Sequence, residues 1–382
     1  MVVMLCADLH LKETEKDYSL SVLREIVAAC GKENCGALLF AGDVFDSRPD
    51  AQAMRSSFRA ALDKLPPGAD VYFLPGNHEE LRAGSLPGLE SFDFGRARLL
   101  SRRPFSLETL DEYAELLALP FQRDYSDYRG WDVPPKKKPL RIVLAHGTVP
   151  GISYSGPDEE EAGGVLDADL FARFGADLAA LGHLHGFYQS RQGEILTAYP
   201  GSARIWREGE AGPRRVLLFS TEERPPRLRP LTLASAGEYR FVPLYAAPDG
   251  SLRKDGSEGG GWTAVSGEAA GWRAADWIRL DVSGVVEDET AVTAALVAAQ
   301  AELEKKYRRV SVSKEKLFVL EGISSHPLAR RFLEKWEEVA DRYTQARRKD
   351  LFAASADCSP EVYNLARLEG LRIIKEIMEG RK

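Results

Sequence analysis

The sequence predicts an α/β protein that also contains a small α+β domain and ends in helices. Three features of the chain support this prediction. Up to about residue 220, short apolar runs end in polar turns with Gly or His, and helical spacing often follows. After a segment rich in Pro and Arg, strand-like and helical stretches continue in a different order. From residue 326 onward the pattern is helical.

The first domain is predicted at residues 1–222. Buried strands are expected at 2–7, 37–41, 71–74, 140–145 and 178–181, with a closing strand at 214–219. Helical spacing occurs at 18–29 and 51–65. Such alternation of buried strands and helices is typical of an α/β domain.

Two further segments follow a linker, which we predict at 222–235 because Pro and Arg dominate it. A small α+β domain is predicted at 236–325, with strands at 277–282, 310–312 and 317–320 and a helix at 289–307. Two helices are predicted within 326–382. Pro327 opens the first, and Ser359 and Pro360 are typical of a cap and first position of the second.

The charge of the chain limits how it could bind nucleic acid. A net charge of -7 argues against holding DNA by bulk electrostatics. It does not exclude a nuclease, because bound divalent cations are not part of the sequence charge. The apolar start at 1–7 is too short for a signal peptide and lacks a basic region. We therefore expect a cytoplasmic protein without a membrane partner.

Polar turns after the apolar runs contain five of the six histidines. Loops beyond the carboxyl ends of parallel strands gather at one sheet edge, so these turns should meet. Small glycines beside them allow tight turns and close backbone approach. The turns are Asp8-Leu9-His10, Gly42-Asp43, Gly76-Asn77-His78-Glu79, His146-Gly147 and Gly182-His183-Leu184-His185.

The residue types in these turns suit a two-metal site. Imidazole and carboxylate ligands are typical of manganese, iron or zinc. The Asp-x-His and His-x-His spacings place both side chains on one side of an extended segment. A carboxylate such as Asp43 can bridge two ions, which together clamp a phosphate. Each motif alone is compatible with an ordinary turn, but all five in this order favour metal binding.

This ordered set resembles the calcineurin-like metallophosphoesterase superfamily over about residues 1–220. The segments Gly42-Asp43-Val44-Phe45-Asp46-Ser47-Arg48-Pro49 and Tyr199-Pro200-Gly201-Ser202 resemble those of SbcD-type DNA double-strand-break repair nucleases. The resemblance implies a β-sandwich core flanked by helices, a small α+β capping domain, and C-terminal helices that can dock an ATPase.

The resemblance also implies roles for individual residues. Asp8, His10 and His185 would hold one ion. Asn77, His146 and His183 would hold the second, and Asp43 would bridge them. His78 would face the phosphate and help to protonate the leaving oxygen. Glu79 stands where relatives have Asp, and it could orient His78. Arg204 and Arg207, after the Tyr-Pro-Gly-Ser segment, could contact substrate phosphate.

The expected function is a two-metal phosphodiester hydrolase, with manganese as the metal and DNA as the substrate. The resemblance implies 3′-to-5′ exonuclease and structure-dependent endonuclease activity, an SbcC-like coiled-coil ATPase partner, and a homodimer. Two alternatives stay open. One is a phosphodiesterase or phosphatase that acts on a nucleotide or another small ester. The other is a non-catalytic scaffold between an ATPase and DNA.

Overall fold

The computed structural model describes residues 1–79, 88–152, 164–246, 251–254, 271–286, 288–320, 323, 326–348, 360–378 and 380. The chain divides into two compact units, Met1–Tyr239 and Arg240–Lys382. Mixed parallel and antiparallel sheets flanked by helices confirm the predicted fold class. The finer division into a cap at 236–325 and helices at 326–382 stays a prediction.

Twelve strands lie in the described residues of the first unit. They are β1 (Val2–Cys6), β2 (Cys35–Ala41), β3 (Asp70–Leu74), β4 (Ala97–Leu99), β5 (Ser106–Thr109), β6 (Ala114–Leu119), β7 (Leu140–His146), β8 (Leu178–Gly182), β9 (Tyr188–Gln192), β10 (Ile195–Tyr199), β11 (Arg215–Ser220) and β12 (Arg229–Thr232). They form two six-stranded sheets with the orders β12-β11-β1-β2-β3-β4 and β5-β6-β7-β8-β10-β9.

The central strands of both sheets are parallel. Strands β1 to β4 pair in parallel in the first sheet, and β6, β7, β8 and β10 do so in the second. Antiparallel strands lie outside them. The carboxyl ends of the parallel strands therefore share one edge in each sheet, and the predicted ligand turns start at these ends.

In the same described part of the chain, three helices cover the outer faces of the sheets. α1 (Lys16–Lys32) and α2 (Arg48–Leu62) pack on the first sheet, and α3 (Ala168–Arg173) packs on the second. α2 begins sharply because the Ser47 side chain accepts a hydrogen bond from the Asp50 amide and Pro49 lies in the first turn. Between the sheets lies an apolar core that includes Leu5, Leu39 and Ile142.

The segment predicted as a linker, 222–235, contains strand β12. Arg229–Thr232 pairs with β11 in antiparallel register, and Pro230 lies opposite Leu217. A proline is tolerated there because an edge strand has one side without a neighbour. The linker prediction was therefore wrong over this stretch: prolines mark the edge of a sheet here.

The second unit contains a four-stranded sheet in the order β14-β13-β15-β16. Its strands are β13 (Tyr239–Ala246), β14 (Leu252–Lys254), β15 (Trp277–Val286) and β16 (Arg309–Val319), with α4 (Thr290–Glu304) packed on them. The two strands predicted at 310–312 and 317–320 are one strand, β16, with a register shift opposite Asp281 and Ser283.

Two long helices complete the second unit. They are α5 (Pro327–Arg348) and α6 (Pro360–Met378), and both begin at the predicted prolines. Ala329, Leu368 and Leu371 pack with Val285 of the sheet in a separate apolar cluster. Within the described part of the chain, no helix has the length and hydropathy that crossing a membrane requires.

Candidate metal centre

Backbone conformation singles out the predicted ligands. In the part of the chain that the structure describes, five non-glycine residues have positive φ, and four of them are predicted ligands: Asp8, His10, Asp43 and His183. L-residues adopt this region at a cost, so it persists where the surrounding structure enforces it. Strain of this kind concentrates at functional sites, which agrees with the predicted role of these turns.

Backbone bonds lock the ligand turns to one another. The Asp8 amide donates to the Gly42 carbonyl at 3.1 Å, and the His10 amide donates to the Asp43 carbonyl at 2.9 Å. The His183 amide donates to both carboxylate oxygens of Asp8, at 3.0 and 3.1 Å. The first turn is thereby fixed both to the turn after β2 in its own sheet and to the turn after β8 in the other sheet.

A first group of ligand atoms comes from Asp8, His10 and His185. All three side chains are buried, and their ligand atoms lie within 4.8 Å of one another. The Nε2 atoms of His10 and His185 face each other at 3.2 Å. Two imidazole nitrogens and a carboxylate in this arrangement suit a transition-metal ion.

A second group converges on the Asn77 side-chain oxygen. His146 Nε2 lies 2.8 Å and His183 Nδ1 lies 3.0 Å from Asn77 Oδ1. Asp43 Oδ2 lies 3.3 Å from His146 Nε2. The ligand atoms of Asp43 and Asp8 also belong to one group with His146. Asp43 therefore lies between the two groups, where the resemblance expects a bridging carboxylate.

Hydrogen bonds on the far side of two rings set which nitrogen faces the site. His146 Nδ1 donates to the Ala41 carbonyl at 2.7 Å, so Nε2 is the ring nitrogen that faces the other ligands. His185 Nδ1 bonds the carboxylate of Glu210, which is buried. Carboxylate–histidine pairs of this type commonly orient the histidine ligands of metals.

Close approach explains two of the glycines. A Cβ at Gly42, where φ is +94°, would lie 2.1 Å from His146 Nδ1. A Cβ at Gly76 would lie 2.1 Å from Asp43 Oδ1. Any larger residue would displace a predicted ligand, so both positions need glycine.

Burial and mutual charge shift the pKa values of the group strongly. Burial raises the pKa of Asp8 to about 7. Burial also opposes ionisation of Asp43, but the charge and hydrogen bond of a protonated His146, together with the nearby His78 and His10, outweigh it and hold the pKa of Asp43 below its usual range. Burial lowers the pKa of His183 to about 3. Buried titratable groups in such number are costly unless a counter-charge accompanies them, and bound cations would supply it.

His78 lies beside the first group and is half-buried. Its ring is 4.7 Å from that of His10 by centroids, at an interplanar angle of 83°. Its amide donates to Asp43 Oδ1 at 3.0 Å, and its Nδ1 donates to the Asp46 carbonyl at 2.7 Å. The second ring nitrogen, Nε2, is therefore the one available for proton transfer.

Glu79 has different partners from those expected. Its carboxylate accepts hydrogen bonds from the amides of Phe45 at 2.7 Å and Gly76 at 3.0 Å. Burial raises its pKa to about 8. Glu79 thus ties together the turns of Asp43 and Asn77, while the backbone carbonyl of Asp46 orients the His78 ring.

The two arginines differ in their surroundings. Arg204 is fully buried, and its guanidinium donates to the carbonyls of Leu9 and His10 and pairs with Glu15 at 2.6 Å. We therefore assign Arg204 to support of the first ligand turn and not to substrate phosphate. Arg207 is half-buried, with its guanidinium 4.1 Å from the Trp206 ring centroid.

Two residues at this site were missed from the sequence. Glu210 bonds His185, and the Trp206 ring stacks on His10 at 4.2 Å with an interplanar angle of 10°. Both residues lie shortly after the Tyr-Pro-Gly-Ser segment, and this proximity was the sequence feature that could have pointed to them. Tyr199 in that segment donates its hydroxyl to the Gly147 carbonyl and so fixes the turn after His146.

The first part of the chain is similar to a known protein family. Residues 1–187 match the family model described as calcineurin-like phosphoesterase. This part of the chain, just under half of its length, is therefore similar to that family. A search of curated protein sequences found no match.

Solved structures of low sequence identity also match. A predicted phosphoesterase from Streptococcus pneumoniae is 14% identical with a TM-score of 0.26, and the match covers 57% of this chain and 81% of that one. A dimetal phosphatase from Danio rerio is 12% identical with a TM-score of 0.37, over 61% and 98% of the two chains. Vps29 from Entamoeba histolytica is 10% identical with a TM-score of 0.30, over 61% and 99%.

Proposed function

We propose that this site binds two divalent ions, with manganese as the native metal, and hydrolyses phosphodiester bonds in DNA. The observation that carries the proposal is the convergence of seven buried side chains from five separate turns. Their ligand atoms lie in two groups, with Asp43 beside His146, and this arrangement supports the roles that the resemblance implies. These residues are Asp8, His10, Asp43, Asn77, His146, His183 and His185.

The donor set fits two such ions. Imidazole, carboxylate and amide oxygen ligands suit manganese, and the Nε2 of His146 already faces the site. When bound, two divalent ions polarise a phosphate ester and lower the pKa of a nearby water molecule. His78 then supplies a proton to the leaving oxygen from Nε2, because its Nδ1 is held by the Asp46 carbonyl.

The SbcD-type motifs support DNA as the substrate. The segment 42–49 supplies Asp43 and the Asp46 carbonyl that holds His78, and the Tyr199–Ser202 segment precedes Trp206 and Arg207. Arg207 is half-buried beside the Trp206 ring, and we propose that it contacts a substrate phosphate, because arginine is a common phosphate contact. The same resemblance supports 3′-to-5′ exonuclease action, a cytoplasmic location, a homodimer and an SbcC-like ATPase partner. The apolar residues of α5 and α6 are the proposed docking segment for the ATPase.

Cleavage of end-labelled linear DNA in the presence of Mn²⁺ tests the nuclease proposal. We expect cleavage by the wild type and a fall of about 10²–10⁴-fold in His78→Ala, the range that general acid–base groups contribute. His78→Ala keeps the backbone amide that binds Asp43, so both ions should remain bound. His326→Ala is the matched control, because His326 lies before α5 in the second unit. Undiminished cleavage in His78→Ala would contradict the proposed role.

A second candidate is hydrolysis of a nucleotide or another small phosphate ester. The net charge of -7 favours it, because an acidic chain repels a polyanion more than a small ester. This candidate predicts that kcat/KM for a small diester, such as a nitrophenyl ester of thymidine monophosphate, far exceeds the value for DNA. The nuclease proposal predicts the reverse order.

A further inference from the structure

Trp206 bonds two carboxylates at the same time. Its indole Nε1–H donates to Asp46 Oδ1, and its backbone amide donates to Glu210 Oε2 at 2.8 Å. Trp206 is half-buried, whereas the Glu210 carboxylate is almost fully buried. One residue therefore fixes two acidic side chains that come from distant parts of the chain.

Each of these carboxylates faces a histidine of the first ligand group. Glu210 Oε1 bonds His185 Nδ1. Asp46 Oδ1 lies 3.6 Å from His10 Nδ1, which is buried and has no hydrogen-bond partner within the described residues. His10 and His185 face each other through their Nε2 atoms at 3.2 Å. The outer nitrogens of both rings thus point to carboxylates that Trp206 holds.

The Trp206 ring adds a direct contact with the same histidines. It stacks on His10 with a centroid distance of 4.2 Å and an angle of 10°, and it meets His185 edge-on at 5.1 Å. Its contact with His78 is also edge-on, at 5.2 Å. The interactions of Trp206 therefore concentrate on the first ligand group. The rings of the second group, His146 and His183, contact each other and not Trp206.

We propose that Trp206 is a positioning residue that sets the affinity of the Asp8–His10–His185 group for its ion, largely independently of the second group. It acts through Asp46 on His10 and through Glu210 on His185. The inference rests on the proposed two-metal function. Carboxylates behind histidine ligands orient the ring and raise its basicity, and their loss typically weakens metal binding about 10–100-fold.

Calorimetric titration of the metal-free full-length protein with Mn²⁺ tests this assignment. Trp206→Phe keeps an aromatic ring on His10 but removes the Nε1–H donor to Asp46. We expect one of the two binding steps to weaken about 10-fold, at the lower end of the range for outer carboxylates, because the amide bond to Glu210 survives. Trp131→Phe is the matched control, since Trp131 packs against Tyr125 and Phe174 on the outer face of the second sheet.

A double-mutant cycle separates positioning from ordinary packing. If Trp206 acts through Asp46, Trp206→Phe should add little to the loss already caused by Asp46→Asn, because the two substitutions interrupt one path. Glu210→Gln should weaken the same binding step. If Trp206→Phe does not fold, Asp46→Asn and Glu210→Gln must still weaken a single, common step.

Several outcomes would overturn the inference. They are equal weakening of both steps, additive effects of Trp206→Phe and Asp46→Asn, or unchanged binding in Trp206→Phe. A wild type that does not bind two ions would instead reject the proposed function itself. The two failures are therefore distinguishable in one experiment.

Discussion

Replacing Gly42 with alanine tests how tightly the turn after β2 is built against the metal centre. The added Cβ would lie 2.1 Å from His146 Nδ1 and 2.6 Å from its Cγ. The His146 ring cannot stay in place at these distances. Moving it also breaks the hydrogen bond that Nδ1 donates to the Ala41 carbonyl at 2.7 Å. The substitution therefore displaces a predicted ligand without removing any ligand atom.

The expected magnitude has a conformational part and a steric part. Alanine at φ +94° carries a cost of about 1–2 kcal/mol, since the left-handed region disfavours L-residues. Overpacking in a rigid surrounding costs about 1–3 kcal/mol more. We expect the free energy of unfolding of the metal-free protein to fall by roughly 2–5 kcal/mol. Displacement of His146 should weaken binding of at least one ion by about 10-fold or more.

Urea unfolding and Mn²⁺ calorimetry measure these two effects on the same sample. Gly68→Ala is the matched control, because its Cβ would have no neighbour within 4 Å and its φ is not positive. We expect Gly68→Ala to keep the free energy of unfolding and the Mn²⁺ affinity of the wild type. Two ions bound with wild-type affinity in Gly42→Ala would refute the packing argument.

Three further substitutions test other contacts. Arg204→Met removes the donors that hold the His10 carbonyl, so it should lower the free energy of unfolding by about 3 kcal/mol and weaken metal binding. Wild-type metal affinity in this variant would contradict the prediction. Arg141→Met should lower the free energy of unfolding by about 3–5 kcal/mol, because it leaves the buried Glu115 carboxylate without its ion-pair partner. Two ions should still bind, and loss of an ion would contradict the expectation that Arg141 does not support the metal site. Burial opposes ionisation of Asp111, but hydrogen bonds from Thr221, the Met1 amino group and the amides of Tyr113 and Ala114 together outweigh it and lower the pKa of Asp111. Asp111 therefore stabilises the protein above its unfolded pKa, and this stabilisation is lost as pH falls through the folded pKa. The difference in unfolding free energy between wild type and Asp111→Asn should therefore shrink from pH 6 to pH 3 in denaturant titrations, and a constant difference would contradict the assignment.

Much of the first unit was predictable because its central strands are apolar throughout and end in polar turns. Strand β7, for example, was predicted at 140–145 and is Leu140–His146. The closing strand predicted at 214–219 is β11, whereas β4, β5, β6, β9, β10 and β12 were not predicted. Strand β9 is largely exposed and has no apolar periodicity. Strand β12 was not recognised because it contains Pro230, and proline usually argues against a strand. An edge strand pairs with one neighbouring strand only, so its residues are less constrained and its sequence pattern is weaker.

The ligand set was accessible from sequence because it depends on residue type and on position after a strand. The residues that support the ligands were not, because their roles depend on three-dimensional proximity. Glu79 was expected to orient His78 but bonds two backbone amides, and Arg204 was expected to contact substrate phosphate but is fully buried. Glu210 lies in an acidic, Gly-containing turn that resembles a solvated loop in sequence.

The central claim is that two ions occupy the two ligand groups on either side of Asp43. A crystal structure of the protein grown with Mn²⁺, with anomalous diffraction data, tests it most directly. The account predicts two anomalous peaks: one bounded by Asp8, His10 and His185, the other by Asn77, His146 and His183, with Asp43 between them. A single peak, or peaks away from these residues, would contradict it.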